Sequence, residues 1–174
     1  MFKSCRVFTG KVSNWDVSNA TSISGTFRSC DVFNSDLSGW DVSNNTRLNS
    51  TFQGAKLFNQ DLSGWDVSNV ITAQLCFATN PVFDQDLSSW NIVNIANFSS
   101  FRNGTQGFST ANYDAILIGW NNTLVNFVNG GGTYTLTPTA DFGGSQYTGG
   151  GAAETARVSL ESVFGWTITD GGAA

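Results

Sequence analysis

Apolar side chains recur along the first part of the chain at a fixed interval. Phe2, Phe27, Phe52 and Phe77 are 25 residues apart, as are Phe8, Phe33, Phe58 and Phe83, and Trp15, Trp40, Trp65 and Trp90. Val12, Leu37, Leu62 and Leu87 keep the same step, and so do Val17, Val42, Val67 and Ile92. Between them the polar positions also repeat, and Asn19, Asn44, Asn69 and Asn94 are identical. A period of this size predicts an array in which each repeat buries its apolar side against the next. It excludes a propeller of Trp-Asp type, whose blades need about 40–45 residues each.

Inside one repeat, residues 37–48 read LSGWDVSNNTRL. That is apolar-x-x-apolar-x-apolar-x-x-Asn-x-x-apolar, the leucine-rich-repeat template with Trp40 in a leucine slot. The Trp-x-Val alternation predicts a short strand, Trp40 and Val42 on one side and Asp41 on the other. Strands of successive repeats are expected to run parallel, about 4.8 Å apart. TFRSC and TFQGA predict a short helix or turn on the opposite side, and FNSD and FNQD the corner that leads back. Cys5 and Cys30 share a column and come within disulfide reach. Because Ala55 fills the next slot, free buried thiols are the favoured reading.

After Phe108 the pattern changes. STANYDAILIGW (residues 109–120) predicts a helix with a Ser/Thr N-cap and an apolar face of Tyr113, Ile116, Leu117 and Trp120. GGTYTLTPTADF predicts a strand or hairpin, GAAETARVSLESVFGW a second helix closed by Gly165, and WTITDGG a last short strand. The predicted fold class is an α/β solenoid. Residues 1–107 form leucine-rich-repeat-like right-handed coils with short parallel strands, and residues 108–174 a C-terminal α+β cap over the last coil. A sugar-binding module is the other reading of the C-terminal unit, on Tyr134 and Tyr147 in a Gly-rich stretch.

Composition narrows the function. Charged residues make up 12% of the chain, about half the usual share, so Asn, Ser, Thr and Gly supply the polarity. A net charge of −5 with only eight basic residues argues against a nucleic-acid partner and against an anionic membrane surface. No apolar run has the length of a membrane span, so no membrane insertion is expected. The opening MFKSCRVFTG has no apolar segment of secretion-signal type. It starts inside a repeat, which predicts a module of something larger or export by another route. The lack of histidine removes Ser-His-Asp and Cys-His machinery and histidine metal sites, and no acid–base–nucleophile set is visible. The chain reads as a non-enzyme.

The phrases FNQDLSGWDVSNV (58–70) and FDQDLSSWNI (83–92) resemble the bacterial surface-protein repeat of about 26 residues. That repeat is related to the leucine-rich repeats of BspA-like surface proteins and to a repeat domain of mycoplasma lipoproteins. The resemblance covers residues 2–107. It departs at Ala73, which is smaller than Ile23, Leu48 and Phe98 in the same column, and at Phe101, which comes 24 residues after Phe77. YDAILIGW and ARVSLESVFGWTITDGG resemble the unit that follows such repeats in surface proteins of marine and gliding bacteria. The resemblance implies secreted or surface-displayed proteins, adhesive or of unknown role, without enzymatic residues.

Two classes of function follow. In the first, the chain is a cell-surface or appendage module that binds a protein or glycan on another surface through its strand face. The candidate ligand-binding residues are Asp16, Asp41, Asp66 and Asn91, flanked by Ser18, Ser43 and Ser68. The competing reading of the same residues is a plain solvent face, on which stacked like charges cost only about 0.8 kcal/mol per pair in water at roughly 5 Å. In the second, the chain is a structural subunit of a virion, fibre or sheath that packs against neighbouring copies of itself. No cofactor is expected. Calcium is the cation that Asp36, Asp61 and Asp86 would suit, but one carboxylate per repeat falls short of the six to eight oxygens calcium takes. Arg6, Asp31 and Lys56 alternate in sign and predict cross-repeat ion pairs. The apolar edge of the first repeat (Phe2, Phe8, Val12, Trp15 and Val17) is expected to be covered in the native state by upstream sequence or a neighbouring subunit.

Overall fold

The Phe columns of the sequence become continuous stacks of rings. The structure is a computed structural model that describes residues 2–174. In it Phe27 lies 5.9 Å from Phe52 and Phe52 lies 5.5 Å from Phe77, centroid to centroid, with the rings nearly parallel. The second column repeats this, with Phe33, Phe58 and Phe83 stacked at 5.8 and 6.0 Å. Within each repeat the two columns touch, at 3.8 Å for Phe27 with Phe33 and 4.0 Å for Phe52 with Phe58. All six rings are fully buried, and burying each contributes about 1.5–3 kcal/mol.

Trp40, Trp65 and Trp90 are buried as well, and each ties two repeats together. The Trp40 Nε1–H donates to the Val12 carbonyl at 2.9 Å, Trp65 to Leu37 at 3.1 Å, and Trp90 to Leu62 at 3.0 Å. A tryptophan in this slot therefore does what leucine cannot, since it fills the core and also satisfies a buried carbonyl of the preceding repeat. The Asn column works alongside. Asn44, Asn69 and Asn94 donate from Nδ2 to the carbonyls of Ser18, Ser43 and Ser68 at 2.7–2.8 Å.

Backbone hydrogen bonds join the repeats in two bands. In one, Ser22, Arg47, Thr72 and Asn97 form successive parallel bridges, one residue per repeat. In the other, the N–H groups of Gly25, Phe27 and Ser29 donate to the carbonyls of Asn49, Thr51 and Gln53, and the pattern recurs one repeat later. This second band runs through turns, not a helix, and holds two positive-φ positions per repeat. Gly25, Ser50, Leu75 and Ser100 occupy one, and Ser4, Ser29, Gly54 and Thr79 the other.

The strand expected at Trp40–Val42 is not there. Trp40 and Val42 are buried and Asp41 is exposed, so the alternation is real, but the segment pairs with nothing. Asp41 folds its carboxylate back onto Ser43, which bends the chain where a strand would have to stay extended. The parallel pairing lies several residues further on, at Arg47.

The ladder does not stop where the repeats do. β1 (Asn97–Phe98) pairs in parallel with β2 (Thr139–Asp141), and β2 with β3 (Thr167–Thr169). The segment expected as a strand or hairpin thus contributes one parallel strand and no hairpin. Two helices make the connections, α1 (Thr110–Asn129) before β2 and α2 (Ala152–Ser162) before β3. The C-terminal unit therefore extends the ladder by two rungs besides covering the fourth repeat.

α1 is longer than its apolar signature predicted. Ser109 caps it, and Tyr113, Ile116, Leu117, Trp120 and Leu124 form its buried face. Its Trp120 takes the place a fifth repeat would give to tryptophan, donating from Nε1 to the Leu87 carbonyl at 2.8 Å. Close approach is possible because the neighbouring residue is Gly119, where a Cβ would lie 2.4 Å from the Ser88 carbonyl oxygen. In the first repeat the corresponding tryptophan is more open. Trp15 is 39% exposed, and its Nε1–H has no acceptor among the described residues. Phe2, Phe8 and Val17 are partly buried, whereas Val12 is fully buried. Cys5, Cys30 and Cys76 are free thiols, the first exposed and the others buried.

Candidate functional site

The aspartates singled out in the sequence form a column, but each is engaged locally. Asp16 Oδ1 accepts from Ser18 N–H at 3.0 Å and from its hydroxyl at 2.6 Å, and Asp41 accepts from Ser43 at the same distances. Asp66 accepts from Ser68 N–H at 2.9 Å, and Asn91 from Val93 N–H at 3.3 Å. These are Asx turns, the usual use of such residues at a bend. Hydrogen bonds to the charged form hold the Asp16, Asp41 and Asp66 carboxyls below the ordinary carboxylate range, the serine hydroxyl first and its amide second. Asp41 and Asp66 also feel the carboxylate one repeat before, which works weakly in the opposite direction.

Ser18, Ser43 and Ser68 have a second duty, since their carbonyls receive the Asn amides of the next repeat. These groups hold the chain both within a repeat and from one repeat to the next. The second aspartate column behaves alike, with Asp36, Asp61 and Asp86 accepting from the amides of Ser38, Ser63 and Ser88. Among the described residues no cluster of three or more carboxylate or thiol side chains is placed to hold a metal ion. Of the ion pairs expected along Arg6, Asp31 and Lys56, Lys56 pairs with Asp31 at 2.9 Å and no Arg6–Asp31 pair forms among the described residues; the contact is exposed and worth at most about 1 kcal/mol.

A different surface converges on open space. On the side that carries the parallel ladder, the third and fourth repeats meet the C-terminal unit in a groove of about 390 Å³. The array supplies Asn69, Ile71, Val93 and Asn94, and the C-terminal unit supplies Phe127, Tyr134 and neighbouring residues. Position 71 adjoins the ladder rung Thr72, while Phe127 stands in the last turn of α1 and Tyr134 in the segment that leads into β2. The Tyr134 ring meets Phe164 edge-on at 5.8 Å, and its hydroxyl oxygen accepts the Trp166 Nε1–H at 3.1 Å. Burial raises its phenol to about 12, so it remains neutral. Tyr147, the other aromatic noted in the sequence, is buried beneath the Arg157 guanidinium and takes no part.

Elsewhere the junction of the array with the C-terminal unit is pinned by a buried cation. Arg102 is 1% exposed and donates to the Asn80 carbonyl at 3.2 Å and the Gly107 carbonyl at 2.8 Å, with its guanidinium over the Phe108 ring. Burial lowers it to about 10. It donates to carbonyls and lies over a ring face, while the Asp84 carboxylate, not in direct contact, works weakly against the effect of burial.

The family described as "Mycoplasma protein of unknown function, DUF285" matches residues 1–115. The chain belongs to this family. No curated protein and no solved structure matches it. The DUF285 match runs past the last strict repeat into the first turns of α1. The structure gives a physical counterpart, because two columns continue that far. Phe108 stands 25 residues after Phe83, and Ser109 N–H donates to Asp84 as Asp84 N–H does to Asn59 and Asn59 N–H to Asn34.

Proposed function

We propose that this DUF285 chain is a non-enzymatic binding module, displayed at a cell or appendage surface, whose repeats form a leucine-rich-repeat-like solenoid of the BspA-related kind. It contacts a protein or glycan on another surface through the side that carries the parallel ladder. The observation that supports this is the continuity of that side. Its rungs run from Ser22 through Arg47, Thr72 and Asn97 to Thr139 and Thr167, so array and C-terminal unit offer one face. The face is poor in charge, carries the exposed Ile71, and ends at the aromatic groove. The Asp16, Asp41, Asp66 and Asn91 column is the competing contact surface. The test is solid-phase binding of the full chain to a panel of matrix proteins and glycans. Arg47→Glu with Ile71→Asp should abolish the signal, and Asp41→Asn with Asp66→Asn should keep it. The reverse pattern would move the contact to the aspartate column.

A second reading, a structural subunit that packs side to side, is favoured by one further column. Val7, Val32, Leu57 and Val82 occupy the same position in successive repeats and are all exposed, Val7 most at 84%. Such a stripe is the kind of apolar patch that marks a contact. Sedimentation of the chain and of Leu57→Asp decides it, since a concentration-dependent assembly lost on substitution supports the subunit and a monomer in both removes it.

A further inference from the structure

We infer that the groove between the third and fourth repeats and the C-terminal unit binds a neutral pyranose sugar, as the terminal or penultimate residue of a glycan. The inference rests on the proposed binding role and names the ligand class for it.

Charge comes first. The groove is lined by Asn, Thr, Tyr, Phe and aliphatic side chains, and none of its lining residues is ionisable at neutral pH. A charged ligand would have to be desolvated there without a counter-charge, which is costly. A neutral ligand rich in hydroxyl groups meets no such cost.

The polar groups are fixed in a way that suits hydroxyls. Asn69 and Asn94 anchor their Nδ2 groups on Ser43 and Ser68 of the preceding repeats, at 2.8 and 2.7 Å. That uses one of the two N–H donors of each amide and fixes the side-chain orientation. Neither Oδ1 has a partner among the described residues, so two oriented acceptors stand one repeat apart beside the groove. Both residues are exposed, so sugar hydroxyls can replace water on these acceptors, and the Thr133 and Thr135 hydroxyls add groups that can both donate and accept.

The apolar component suits the other face of a pyranose ring. Phe127 is 36% exposed although it belongs to a folded helix, and its ring lies over Gly132, where a Cβ would fall 2.5 Å from a ring carbon. An aromatic face carries negative quadrupolar charge and attracts the polarised C–H groups of a sugar. Tyr134, locked by Trp166 and Phe164, forms a rigid neighbour, and a preformed wall reduces the ordering cost of binding. A volume of about 390 Å³ falls at the small end of the 300–1,000 Å³ usual for small-ligand sites.

The test is a titration of the isotopically labelled full chain, followed by amide NMR shifts. The probes are the neutral methyl glycosides of glucose, galactose, mannose and N-acetylglucosamine, with glucuronate and sialic acid as charged controls. At least one neutral glycoside should shift the Asn69, Asn94 and Thr133–Leu136 resonances saturably, and Phe127→Ala should weaken that response by at least about tenfold at unchanged Tm. Gly132→Ala, which displaces the ring without removing it, should weaken it too. The inference fails if no neutral glycoside moves these resonances, if Phe127→Ala binds as well as the parent, or if only the acidic sugars bind. Deglycosylating the solid-phase partners separates this claim from the wider one. Binding that survives deglycosylation overturns the sugar site and leaves the binding module standing; binding lost on deglycosylation and on Phe127→Ala supports both.

Discussion

Trp65→Ala and Trp15→Ala change the same residue in the same column and should cost very different amounts. Trp65 is 3% exposed, and its indole bonds the Leu37 carbonyl, whereas Trp15 is 39% exposed and has no acceptor among the described residues. Truncating a buried tryptophan costs about 3–5 kcal/mol through lost transfer energy and the cavity left behind. The lost hydrogen bond contributes about 1 kcal/mol of this and places Trp65→Ala near the top of the range, about 5 kcal/mol. Trp15 has less area to lose and no bond, so about 1–2 kcal/mol is expected. In a chain of this length 1 kcal/mol moves Tm by about 2–4 °C, so the variants should melt roughly 10–20 °C and 2–8 °C below the parent. Urea unfolding followed by far-UV circular dichroism gives the free energies. Trp65→Phe isolates the indole bond, with a loss of about 1 kcal/mol beyond that of Trp15→Phe. Equal losses at the two positions would refute the reasoning, because they would mean that the tryptophan column is not closed from repeat to repeat.

Three further outcomes are expected. The Asp16, Asp36, Asp41, Asp61 and Asp66 carboxyls are all held below their ordinary range by serine hydrogen bonds, so their contribution is fully present above the unfolded carboxylate range near pH 4 and is lost as the pH falls through the lower folded values. Asp→Asn at these positions keeps the turn, as Asn91 already does, and should flatten the acid limb of a Tm-against-pH curve while changing Tm at pH 7 little. Gly119→Ala should destabilise the protein by more than about 1 kcal/mol, although alanine is the better helix former, because the new methyl meets Ser88; thermal melts of the variant give the sign. Thiol labelling should modify Cys5 at once and Cys30 and Cys76 only on unfolding, since burial removes access and raises both thiol pKa values.

The columns were legible because burial needs chemically similar residues at every rung, and Phe27, Phe52 and Phe77 announce their stack by type and spacing. The pairing strand was not. Ser22, Arg47, Thr72 and Asn97 share no β-favouring chemistry, and what they share is a place on the backbone that the repeat spacing alone determines. Trp-Asp-Val looked like a strand because its burial alternates, a property that a bend held by Asp41 can also have. The left-handed turn positions were hidden as well. Only Gly25 and Gly54 signal them, while Ser50, Leu75 and Thr79 adopt the same conformation because the stack imposes it. The groove is lined by Phe127 from one unit and Asn94 from another, a juxtaposition that local patterns do not encode.

The indole bonds of the tryptophan column each reach back by 28 residues, and the backbone bands link nearest neighbours. Under tension such a stack sheds its repeats singly. Each 25-residue repeat pulled free adds roughly 90 Å of extended chain at about 3.6 Å per residue. Trp120 and Arg102 lock the C-terminal end, so the array should yield first in the repeats away from it. A partner held at the C-terminal groove would then stay attached while the opposite end paid out length. Force would be dissipated in steps, and the contact would outlive the partial loss of the fold around it.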